Sequence, residues 1–209
     1  MSITETEIEG VIKYRLDYTP APAMEAAALR DLIVWHERCR ALGVVGRDPH
    51  RYSGYAYGNI SRRLERGFVV SCSQTGGKSA LTPDDYAWVL DCDFQRNRVR
   101  AQGPGKPSSE ALTHGAMYAA DDAVRAVIHG HTPLIWGRAE ALDLPVTPAD
   151  VAYGTPRMAS AVHDLVLRSG GRGLLVMGGH EDGVIAYGPD LDAAGALFSS
   201  VMHRARRLE

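Results

Sequence analysis

Cysteine is scarce in this chain: 209 residues contain three, Cys39, Cys72 and Cys92, and no two of them form a Cys-x-x-Cys pair. So few and so scattered a set argues against a disulfide framework or a thiolate zinc knuckle and fits a reducing compartment. Long apolar runs are absent too, none reaching the roughly 20 residues of a membrane-spanning helix. The opening MSITETEIEGVIKYRLDYTP carries acidic residues and no apolar centre, so no signal peptide is expected and a cytoplasmic protein is. Charge of one sign is also lacking: 23 Lys and Arg against 25 Asp and Glu give a formal net charge of -2, with no global attraction to nucleic acid or an anionic membrane. Repeats, low-complexity tracts and linkers are missing. The remainder is an ordinary globular composition, 45% hydrophobic and 23% charged, long enough to bury one sizeable core. Its expected partner is a small molecule.

Periodicity divides the chain. Residues 1–22 read as an N-terminal extension and 23–209 as one domain. MEAAALRDLIVWHERCRALG is an amphipathic helix, with Leu29, Ile33 and Trp35 near helical spacing and Gly43 as its stop. GYAYGNISRRL and GFVVSCSQT read as a strand pair across the turn at Glu65 to Gly67. LTPDDY looks like a helix start with Thr82 as N-cap and Pro83 in the first helical position. AWVLDCD and RVRAQG form a hairpin around FQRN. Further on, SSEALTHGAMYAADD, TPRMASAVHDLVLRSGG and DLDAAGALFSSVMHRARRLE are helices, and AVRAVIHGHT, GLLVMGGH and GVIAYG are strands. Hairpins with helices on both sides predict a three-layer α/β/α domain rather than a Rossmann unit.

Two histidines stand one residue apart in AVIHGHTPLIWG. Successive side chains of a strand point to opposite faces, so His129 and His131 project together while Gly130 points away. A same-face pair is equally compatible with histidines hydrogen-bonded inside a core. His180, which ends the run GLLVMGGH, would complete the three-imidazole set of a catalytic zinc site, although other divalent first-row ions accept the same donors. Glu110 and His114, one helical turn apart, are a competing pair, of a kind common on ordinary helix faces. His36, His114 and His163 sit in helices as surface or satisfied core residues, and His50 and His203 read as exposed.

Three loop-like stretches suit an anion. GPGKPSSEALTHGAMY delivers Ser108 and Ser109 to a helix start, where free N–H groups and the positive end of the dipole favour negative charge. The same serines would serve as a plain helix cap. YGNIS around Asn59 and SQTGGKS around Thr75 and Gly76 are each a turn when taken singly and a phosphate cradle when taken together.

The ordered set Gly58-Asn59-Ile60-Ser61, Thr75-Gly76, Pro107-Ser108-Ser109-Glu110, His129-Gly130-His131-Thr132-Pro133 and a later histidine resembles the class II aldolase/adducin family, whose type enzyme is fuculose-phosphate aldolase. The resemblance runs from about Met24 to the C-terminus. It implies a central, mostly antiparallel sheet flanked by helices, assembled as a homotetramer. It implies zinc on His129, His131 and His180, Glu110 as the catalytic acid/base, and a substrate phosphate held by Asn59, Thr75, Gly76, Ser108 and Ser109. The implied activity is that of a metal-dependent lyase of aldolase type on a small sugar phosphate or related ketose. An enediolate next to a ketone is stabilised by a divalent Lewis acid, while a carboxylate moves the proton at the adjacent carbon.

Departures from the pattern keep relatives in view. The family commonly reads Asn-His-Gly at the third histidine; here Gly179-His180-Glu181-Asp182-Gly183 places two acids where they could coordinate or tune the site. The segment between the His-x-His and YGTP is short, and the tyrosine that the fuculose enzyme lends to a neighbouring subunit has Tyr153 as its nearest candidate. A methylthioribulose-phosphate dehydratase would use the same zinc and glutamate to eliminate water. Ribulose-phosphate epimerases generally lack the glutamate, so Glu110 argues against them. Adducin-like assembly domains share the fold but lack the metal set.

Overall fold

In the computed structural model, which describes residues 10–208, the β-favouring runs of the sequence assemble into eight strands of a single sheet. In chain order the elements are β1 (Arg15–Pro20), α1 (Ala26–Ala41), the two-residue β2 (Gly46–Arg47) and β3 (Ala56–Tyr57), β4 (Asn59–Arg63), β5 (Phe68–Ser71), β6 (Tyr86–Asp93), β7 (Arg98–Gly103), α2 (Ala111–Ala120), β8 (Ala126–His131), the one-turn α3 (Pro133–Trp136), α4 (Pro156–Ser169), β9 (Gly173–Val176), β10 (Gly183–Gly188) and α5 (Leu191–Arg206). The sheet order is β1-β7-β6-β5-β4-β8-β10-β9. Every neighbouring pair is antiparallel except the parallel edge pair β1 and β7.

Alternation along each strand sorts the core into two layers. Ile60, Val69, Ile128, Val184 and Ala186 pack with Leu29, Leu32 and Trp35 of α1 and Phe198 and Val201 of α5. Their neighbours Phe68, Val70, Val127, Ile185 and Tyr187 pack with Leu112, Ala116 and Met117 of α2 and Met158 and Val162 of α4. Helices therefore cover both faces, giving the expected α/β/α layering, and each buried side chain of this size contributes about 1.5–3 kcal/mol. Asp190 caps α5 by accepting from Ala193 N at 2.7 Å, and Thr155 caps α4 by accepting from Met158 N at 3.3 Å.

Two local expectations are corrected, those for LTPDDY and for the strand read through His180. Of the extension 1–22, residues 1–9 lie outside the described residues, as does much of the opening read for a signal peptide. Arg15–Pro20 join the sheet edge in register with Arg98–Gly103. LTPDDY opens only a one-turn 3-10 helix, Pro83–Asp85, because Tyr86 onwards is rich in β-favouring residues and leaves as β6. The strand read through His180 stops at Val176, and the chain then turns back into β10.

Antiparallel order has a consequence for position. The C-terminal ends of β5, β7, β8 and β9 and the N-terminal ends of β4, β6 and β10 share one edge of the sheet. Every sequence motif singled out above lies there.

Gly58 marks how tightly that edge is built. Its φ is +77°, and a Cβ would stand 2.7 Å from Val45 Cγ2 and 3.1 Å from His129 O. Gly58→Ala is expected to destabilise the fold by more than about 1 kcal/mol, read as a lower urea midpoint at unchanged slope. An unchanged midpoint would contradict the close approach.

Candidate metal centre

β8 is paired on both sides, with Asn59 of β4 and Ile185 of β10 opposite His129, and Gly183 opposite His131. Both histidines have the parity of Val127 and therefore face α2 and α4. Gly130 faces the other layer, where a Cβ would meet Val44 O at 2.9 Å and Phe198 Cζ at 3.2 Å. His180 comes from the β9–β10 turn, not from a strand end. Its carbonyl accepts from Gly183 N at 2.9 Å, and a Cβ at Gly183 would lie 3.1 Å from its ring. The pairing of Gly183 with His131 thus delivers the third imidazole.

The three rings converge. One ring nitrogen from each of His129, His131 and His180 lies within 4.8 Å of the others, and all three residues are buried. Nε2 of His129 and Nε2 of His131 are 3.1 Å apart. Two ligands of a tetrahedral ion at about 2.0–2.1 Å stand roughly 3.3 Å apart, so this pair already has the spacing of a chelate. Burial first, then the imidazoles of His180 and His114, hold His129 well below the ordinary histidine value; burial, then His180, His129 and Arg51, do the same for His131. Neutral rings keep a lone pair for a cation, so the donor set fits a divalent first-row ion. This is the group of metal-competent side chains found among the described residues.

Aromatic rings line the triad. Tyr52 meets His131 edge-on at a centroid distance of 4.7 Å, and Tyr57 lies 5.5 Å away. Asp182, weighed as a possible ligand, instead accepts from Arg51 Nη2 and Tyr52 Oη, both at 2.7 Å, and ties the loop before β3 to the β9–β10 turn. Glu181 is exposed. Neither belongs to the histidine group. Tyr153, the nearest candidate for the tyrosine of the fuculose enzyme, is wholly buried and stacks on His180 of its own chain. No spacing rule pointed to Arg51, Tyr52 or Tyr57; the dense tyrosines of YSGYAYGNIS were the signal on offer.

Glu110 immediately precedes α2 on the face to which the histidines project, and it is 0% exposed. Its amide donates to Ser108 Oγ at 3.2 Å. Tyr14 Oη donates to Ser108 O at 2.7 Å, and a Cβ built on Gly154 would stand 3.6 Å from Ser109 O. The start of α2 therefore touches the residue that follows Tyr153, and Tyr153 touches His180.

The anion-binding candidates sit on strand ends and loops sewn to one another. Cys72 bridges to Pro107, Ser73 N donates to Lys106 O, and Ser108 N donates to Ser71 O. Asn59 is buried opposite His129, and its Oδ1 has no partner among the described residues. Thr75 Oγ1 donates to Cys72 O at 2.7 Å, which commits its hydroxyl to shaping the loop. At Gly76 a Cβ would lie 2.5 Å from Tyr57 O, so only glycine admits this approach.

His114 does not join a metal group with Glu110: its Nδ1 bonds Ser61 Oγ at 2.6 Å, and burial pushes it down to about 3. His36 is a buried core residue lowered by burial to about 4, His163 contacts Asp164, and His50 and His203 are exposed.

Comparison with known proteins adds three findings. Residues 48–208 match the family described as Class II Aldolase and Adducin N-terminal domain. Methylthioribulose-1-phosphate dehydratase of Gluconacetobacter diazotrophicus is 35% identical over 107 residues, 51% of this chain and 46% of that protein. The dehydratase of the same name from Gluconobacter oxydans is 30% identical over 100 residues, 47% of this chain and 46% of that protein. The chain spans about half the length of these two curated relatives. Among solved structures, l-fuculose-1-phosphate aldolase from Thermus thermophilus superposes with a TM-score of 0.67 at 20% identity, covering 88% of this chain and 93% of that one. Among the described residues no helix is long and apolar enough to cross a membrane.

Proposed function

The chain belongs to the class II aldolase and adducin N-terminal domain family, and from that premise we propose that it is a metal-dependent lyase acting on a small phosphorylated ketose. The observation that carries the reading is the buried triad of His129, His131 and His180 on the sheet face that also receives Glu110. A bound divalent cation, zinc by donor type, would supply Lewis-acid stabilisation of negative charge developing on a carbonyl oxygen. Glu110 removes the proton from the carbon beside that carbonyl, a task suited to a carboxylate sealed from water. Asn59, Ser108, Ser109 and the backbone of Thr75 and Gly76, in the loop that the Thr75 hydroxyl shapes, hold the phosphate and fix the reacting carbon between triad and base.

Two reactions of the ketose fit this arrangement. Elimination from the enol of the hydroxyl on the next carbon, which leaves with a proton as water, is favoured by the two relatives described above, each named as a dehydratase. The aldolase reading takes second place: starting from the ketose itself, the hydroxyl on the carbon beyond the one beside the carbonyl gives up its proton to solvent, the bond between those two carbons breaks to release an aldehyde, and Glu110 returns a proton to the enediolate left behind. An assembly role of adducin type draws no support from a buried, neutral three-imidazole cluster.

The test is direct. Zinc-loaded protein incubated in deuterium oxide with dihydroxyacetone phosphate is expected to exchange a proton at the hydroxymethyl carbon, and with methylthioribulose-1-phosphate to release water. Absence of both reactions would refute the proposal. Phosphorylated ketoses are also expected to bind at least about tenfold more tightly than the free sugars, as charge-assisted contacts of about 1.5–3 kcal/mol each imply. Equal affinities by calorimetry would remove the phosphate from the reading.

A further inference from the structure

Tyr153 is a buried ring in contact with both a histidine of the triad and a cation. Its ring stacks on that of His180 with centroids 4.5 Å apart and 22° between planes. The ammonium of Lys13 stands 3.8 Å from the centroid of the same ring, and its Nζ donates to Tyr153 O at 3.1 Å. The imidazole and the ammonium thus both contact the one phenol ring.

We propose that Tyr153 and Lys13 are positioning residues for metal capture, the ring fixing the orientation of the His180 imidazole and the ammonium fixing the ring. The inference rests on the reading of the triad as a divalent-cation site. Its physical basis is the unequal support of the three histidines. His129 and His131 stand on a strand hydrogen-bonded on both sides, so backbone pairing sets their direction. His180 stands in a turn, held by His180 N to Met177 O at 3.1 Å and Gly183 N to His180 O at 2.9 Å, with Asp182 in the left-handed region at φ 61°. Such a turn sets where the backbone lies but does little to restrict rotation of the ring. Ring contacts therefore carry much of its orientation: Tyr153 stacked at 4.5 Å, His129 stacked at 5.2 Å and His131 edge-on at 4.7 Å, of which only the Tyr153 ring lies outside the triad.

Lys13 belongs to a stretch laid along the cradle loops before β1. Ser73 Oγ donates to Gly10 O at 3.2 Å, and Tyr14 Oη donates to Ser108 O at 2.7 Å. Residues 10–14, the described part of the chain before β1, therefore reach the metal site through Tyr153.

The experiment measures zinc affinity of the full chain by competition with a chromophoric chelator, together with the ligand-field absorption of the Co2+-loaded protein. Tyr153→Leu, which removes the ring, is expected to weaken zinc binding by about 10–100-fold, the usual cost of losing support for a metal ligand, and to alter the Co2+ spectrum. Tyr153→Phe, which keeps the ring, is expected to retain both. Lys13→Met is expected to weaken binding by at least about threefold and keeps the test decisive if Tyr153→Leu fails to fold, since Lys13 is only partly buried. Wild-type affinity and spectrum in Lys13→Met or Tyr153→Leu, or loss in Tyr153→Phe equal to that in Tyr153→Leu, would overturn the assignment. Wild-type protein that binds no zinc would instead overturn the metal reading itself.

Discussion

Alanine at His129 or at His131 is expected to yield a folded chain that retains no metal through gel filtration. Each histidine is fully buried, its imidazole is kept neutral by its surroundings, and its ring nitrogen is one of three within 4.8 Å. Removing either leaves two donors and a cavity in place of the third. Losing a residue that merely supports a ligand costs about 10–100-fold in affinity, so losing the ligand is expected to cost more than about 100-fold. Elemental analysis of the purified variant checks the occupancy, and far-UV circular dichroism checks that the fold survives. Stoichiometric metal in His131→Ala would remove the triad as the site.

Glu110→Gln is expected to do the opposite, keeping the metal and losing turnover. The amide matches the carboxylate in size, so the start of α2 and the Glu110 N to Ser108 Oγ bond should persist. What it loses is the ability to accept a proton. General acid–base groups contribute about 10²–10⁴-fold, and the loss in kcat is expected in that range with zinc content unchanged. Unchanged turnover would remove Glu110 from the chemistry; lost metal would make it part of the ion's support instead.

The glycine at position 130 shows how much of the site was legible in advance. Strand parity alone puts His129 and His131 on one face and turns Gly130 away, whereas the need for a glycine there comes from the opposite layer, where Val44 and Phe198 stand. His180 was legible as a donor but misplaced as a strand end, because GLLVMGGH is apolar to its last residue and the turn after Val176 is announced only by two glycines. Asp182 illustrates the reverse case. Beside a metal-competent histidine it reads as a ligand or a tuning charge, yet it binds Arg51 and Tyr52, which come from the far side of the site.

Properties written in neighbouring residues were therefore available from the chain alone: the alternation that makes the strands, the layering they imply, the order of the motifs, and the donor types that suit a cation and an anion. Which groups actually meet was a matter of folding. Lys13 reaches Tyr153 across 140 positions, and Tyr52 reaches Asp182 across 130. Such contacts depend on the register of β8 against β10 and on how α2 and α4 pack over them, interactions summed over the whole core that leave no trace in any short stretch of sequence.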